Sequence, residues 1–175
     1  MAARKRPDVA QLSADAPSLM DLFNEGSDLV CVLVSTSYLD AALVSLLQRH
    51  LVPGKTSAAL LEAEGALGTL ASRTDAAYCL GLIPKTLYQN ARLIGQVRNR
   101  FAHNHLAIDF QDPQAAELVR KLALPSLVGG DPDGMVLRMA ATPRSHYTIV
   151  AAGMILRLLN LATELEQRSP SSQPW

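Results

Sequence analysis

The run from Leu29 to Leu51, "LVCVLVSTSYLDAALVSLLQRHL", constrains this chain more than any other feature. It reads as one long helix opened by Ser27 or Asp28 as N-cap, with apolar residues on most sides of its wheel. A helix apolar all round has to be covered by protein all round. It therefore belongs in the middle of a helical bundle or at a subunit interface. "VPGK" ends it, because proline and glycine together neither continue the hydrogen-bond ladder nor keep helical dihedrals.

The remainder agrees with an all-α bundle of five to six helices. The 175 residues fit one domain, long enough to bury a core without disulfides or metal. Hydrophobic residues make up 49% and aromatics only 5%, and a mixture led by Leu, Ala and Val favours helices over sheets. A short helix is expected after Pro17 and Ser18, through "LMDLFNEG". Ser72 with Asp75 resembles a capping box for another, and Pro84 suits the first turn of the next. Asp112 caps a helix opening at Pro113, and "SHYTIVAAGMILRLLNLATELEQR" forms the last. "PSLVGGDPDG" reads as a surface loop, and residues 135–141 as a short hairpin, a strand or a loop. The expected domain is 18–168, between flexible tails at 1–17 and 169–175.

Lys plus Arg equals Asp plus Glu at 16 each, so no overall field gathers nucleic acid, which argues against direct DNA binding. The basic run "MAARKR" reads as a solvated tail. Cys31 and Cys79 sit in apolar helical patterns and read as small core hydrophobes, which fits a reducing cytoplasm. No signal core is expected at the N-terminus. Asp40 and Arg157 interrupt the most apolar segments, so no membrane span is expected. No spacing suggests a metal site, and no glycine loop or nucleophile motif suggests a cofactor or covalent chemistry.

One cluster looks like chemistry: "VRNRFAHNH", Val97 to His105. On an ideal wheel Leu87, Ala91, Ile94, Arg98 and Phe101 or Ala102 share a stripe, so Arg98 points where a leucine is expected. A guanidinium there needs a carboxylate, carbonyls or an anion, and Asp40 or Asp75 would serve. His103 lies roughly 140° round the helix from Arg98. The two converge only if the helix ends near Ala102, or if two copies meet about a two-fold axis. Histidine beside a fixed cation and an amide suits proton transfer at a phosphodiester. His50, His105 and His146 lack such company. Arg73, in "LGTLASR", either belongs to a tight turn or projects toward the same cleft as Arg98.

"RNRFAH" has the form R-N-x-x-x-H and resembles the motif of the HEPN superfamily of small helical proteins, many of them metal-independent RNases. More broadly, "SDLVCVLVSTSYLDAALVSLL", "GALGTLASRTDAAYCLGLIPKTLY", "VRNRFAHN" and "DFQDP" resemble, in that order, the mannitol operon repressor family across roughly residues 20 to 120. The resemblance implies a HEPN-like helical fold and a cytoplasmic transcriptional regulator, dimeric and acting through a protein partner without a helix-turn-helix. It also keeps a second reading open, an endoribonuclease acting on RNA at a dimer interface. The superfamily roles would make Arg98 a phosphate-binding or structural cation, Asn99 a polar orienter and His103 an acid/base. Arg73, Arg100 and Asn104 would support ligand or partner binding.

Overall fold

In a computed structural model, residues 9–104, 108–125 and 134–170 are described, and among them all regular structure is helical. Helices α1 (Val9–Ala14) and α2 (Ala16–Glu25) lead into the long α3 (Asp28–His50). After α4 (Lys55–Leu61) come α5 (Leu70–Cys79) and α6 (Lys85–Asn104). Then follow α7 (Pro113–Arg120), the short α8 (Met135–Met139) and α9 (Pro143–Glu164).

α3 is the axis of the bundle. Ser27 caps it, accepting from the Val30 amide at 3.3 Å, and α9, α5, α6 and α2 pack around it. By length and composition α3 could cross a bilayer, but Leu39, Leu43, Leu46 and Leu47 are sealed inside the protein. Its outer face still shows Val30 and Leu33. The buried hydroxyls of Ser35, Thr36 and Ser45 donate to carbonyls one turn earlier, so they cost little in the core. Ser35 also meets the Tyr147 hydroxyl at 2.9 Å, tying α3 to α9, and burial pushes the Tyr147 phenol up from its ordinary pKa.

A second tie holds the start of α3. Asp28 accepts from the Phe110 amide at 2.8 Å and from Arg144 at 2.5 Å, while Arg144 also donates to the carbonyls of Phe23 and Gly26. One carboxylate thus joins α3, the turn before α7 and the first turn of α9.

Several expectations are corrected. Helical structure starts inside the stretch expected to be a tail, because Leu12 of α1 is buried against the bundle. The hairpin or strand expected at 135–141 is α8, whose Met, Leu and Arg residues favour helix and whose Val136 alone anchors inward. The capping box of α5 uses Thr69 with Ser72, so Ser72 is the third helical residue and not the cap. Cys31 is fully buried, which pushes its thiol up to about 11, but Cys79 is exposed at the end of α5 and is no core residue. The anticipated loop at 126–133 and the tail residues 1–8 and 171–175 lie outside the described residues.

Candidate functional site

α6 carries the R-N-x-x-x-H cluster, and its orientation differs from the wheel expectation. The buried stripe is Leu87, Ala91, Ile94, Val97 and Phe101, so Val97 takes the inward position that periodicity assigns to Arg98. Both residues lie within the tolerance of helical spacing after Ile94, and the apolar one wins because burying a guanidinium costs far more. Arg98 is exposed, and among the described residues its Nη1 reaches only the neighbouring Asn99 Oδ1, at 3.3 Å. Asn99 and His103 are exposed too.

The helix does not stop near Ala102. It continues through His103 to Asn104, which keeps His103 well round the cylinder from Arg98 within one chain. The Asn104 side chain and His105 lie outside what is described. Arg100 is engaged elsewhere: its Nε donates to Asp112 at 2.9 Å, and Asp112 also caps α7 through the Gln114 and Ala115 amides. The Arg100 guanidinium and those amides hold the Asp112 carboxyl below the usual carboxylate range. Arg100 therefore clamps α6 to α7.

The acids expected to receive Arg98 have other partners. Asp75 faces Arg92 at 3.6 Å on the surface, and Asp40 takes Arg73. Arg73 is the buried cation, 3% exposed, and its Nη1 bonds both Asp40 oxygens at 2.6 and 2.5 Å. Its Nη2 donates to the Leu61 carbonyl at 2.8 Å, while its Nε has no hydrogen-bond partner among the described residues. The sequence carried a signal for this: Arg73 and Thr74 share a face with Ala77, one turn later on α5. The turn before α5 is tight, since a Cβ at Gly65 or Gly68 would overlap the carbonyl oxygens of Ala59 and Ala63.

α3, the N-terminal turn of α5 and α6 enclose a cleft of about 810 Å³. Arg73 and Arg98 both line it, along with Asp40, Arg92, Gln96 and Asn99. His103 does not. The cleft can hold an anion, but within one chain it brings no histidine to one. Among the described residues, no three His, Cys, Asp or Glu side chains gather as metal ligands would.

Residues 30–165 match the family described as Mannitol repressor, MtlR. This chain belongs to the mannitol repressor family. The match runs from the first turn of α3 to the end of α9, beyond the stretch over which the sequence motifs resemble it. The fold is similar to that of a chain in the X-ray structure of the MtlR-HPr complex from Escherichia coli, with a TM-score of 0.56 and 22% identity. That likeness covers 86% of this chain and 98% of the other. No curated protein matches the chain.

Proposed function

We propose that this member of the mannitol repressor family is a cytoplasmic regulator of transcription that works as a homodimer through a protein partner, and that the partner is HPr. The observation that carries the reading is the family match across 30–165, which spans nearly the whole bundle. The similar Escherichia coli structure is that of an MtlR-HPr complex, and this supports HPr as the partner here. The balance of charge supports contact with protein over contact with DNA. Val30 and Leu33, neighbours on the open face of α3, support a contact between copies.

The competing reading is a HEPN-type endoribonuclease, and it needs Arg98 and His103 to act on one phosphate. Their separation on a continuous α6 leaves that to residues from two copies. The deciding experiment incubates the protein with labelled RNA in EDTA beside a His103→Ala variant. Intact RNA in both tubes is the expected result. Cutting that the variant lacks would replace the regulator with a nuclease.

A further inference from the structure

Three exposed apolar side chains share one end of the bundle. α5 runs alongside α3 in the same direction, since Leu33 and Thr36 line the cleft with Thr69 and Leu70 while Asp40, further along α3, takes Arg73. α6 returns antiparallel, with Arg92 facing Asp75 and Tyr88 stacked on Tyr78 at 4.5 Å. The last turns of α3 and α5 and the first turn of α6 therefore lie at the same end. Past α5 the Leu82 amide closes on the Ala77 carbonyl at 2.9 Å, and Ile83 turns into the core. Tyr78 and Leu80 are left outside, 39% and 46% exposed, and Val52, just past α3, is 39% exposed. One such residue is ordinary, but three at one end beside a stacked ring pair form a surface that gains by being covered.

The chain itself supplies a cover. α9 also runs in the direction of α3, with Arg144 on Asp28 and Tyr147 on Ser35, and it ends beside the C-terminus of α3. There the Gln167 side-chain amide donates to the carbonyls of Gln48, Arg49 and Leu51, at 3.1, 3.3 and 2.9 Å. Carbonyls of a final helical turn have no partner within their own helix, so Gln167 caps α3 and fixes where the segment after it starts. Eight residues further on is Trp175, the one tryptophan in the sequence.

Length decides which apolar surface the indole can reach. Eight extended residues span at most about 29 Å, whereas a neighbouring helix in a bundle lies about 10 Å away. Met135, Leu137 and Met139 of α8 are exposed too, but α8 leads into the first turn of α9 at the opposite end. The 22 residues of α9 put roughly 33 Å between that end and the anchor. We propose that residues 171–175 fold back over the near end of the bundle and seat the Trp175 indole on Tyr78, Leu80 and Val52, as an intrachain cover for that surface. A tryptophan gains by burying its large ring and pairs well with tyrosine. Tethering supplies an effective concentration of about millimolar, so even a contact of millimolar affinity is substantially populated. A protein partner binding this end has to displace the segment. Such a cover is independent of the regulator reading.

Because Trp175 is the one tryptophan, indole fluorescence of the full chain reports on it alone. Its emission should lie at shorter wavelength than that of N-acetyltryptophanamide in the same buffer, and acrylamide should quench it severalfold less. Leu80→Asp and Val52→Asp should each move both readings toward the free indole. Both side chains are exposed, so melting curves followed by circular dichroism should stay close to that of the parent and show that the variants are folded. Gln167→Ala should weaken the protection by releasing the anchor. Emission and quenching equal to the free indole in the parent chain overturn the docking. Protection that persists in both aspartate variants places the indole elsewhere and overturns the site. Protection that fades on dilution in step with dissociation of a dimer assigns the surface to a second copy and overturns the intrachain cover.

Discussion

Two arginines on neighbouring helices divide the work that the sequence assigned to one. Arg98 stands in the R-N-x-x-x-H motif, but it is exposed and, among the described residues, bonds only its neighbour. Arg73 follows a tight turn and carries the buried ion pair. Arg73→Ala should therefore destabilise the protein by about 2–4 kcal/mol, since it strands Asp40 and the Leu61 carbonyl. Arg98→Ala should change stability by no more than about 0.5 kcal/mol. Urea unfolding of the two variants checks both. The chemistry of the pair was legible, because a helical Arg near Asp40 was expected to find it. Which arginine does so depended on packing that favours Val97 inward, a difference of one helical position that periodicity does not resolve. Asp112 gives a pH test. Its folded-state pKa lies below the ordinary value of 3.8, so its contribution is present above that value and is lost as pH falls through the lower folded pKa. Asp112→Asn keeps a capping side chain but loses the charge facing Arg100. Melting curves from neutral pH down to about pH 2 should show a shallower acid decline in the variant than in the parent.

At the scale of elements, the strong signals held where a cap and an apolar run coincide. Ser27 before α3 and Asp112 with Pro113 before α7 are placed as read, each by a side chain accepting from the helix it opens. Weaker signals gave way to context. Ser72 has the right residue type for a cap, but Thr69 three residues earlier takes that place and Ser72 answers it from the first turn. α8 was ambiguous because five residues are too few for periodicity to declare itself, and contact with α9 settles it as a helix. The turn between α4 and α5 is set by close backbone approach. Gly68→Ala should force the Ala63 carbonyl aside and lower stability by about 1–3 kcal/mol, measurable as a fall in melting temperature. Within the core, Leu43→Ala on α3 should cost about 2–5 kcal/mol, because the residue is fully enclosed by the bundle.

For the molecule as a whole, the apolar α3 proves to be the core of an all-helical bundle, and the chain is a mannitol repressor family member. The architecture was legible because so apolar a helix has few places to go. The proposed function was harder to read, because a regulator of the kind proposed needs no catalytic group of its own, only a surface, and surfaces carry little periodic signal. Sedimentation of the protein at micromolar concentration is expected to give a dimer, and a monomer alone would remove the two-copy arrangement from the account. The central claim, that the protein acts by binding HPr, is tested most directly by calorimetric titration of the purified chain with purified HPr. Saturable binding at a fixed stoichiometry is the predicted result. No binding at any concentration reached, by a chain shown to be folded, would contradict it.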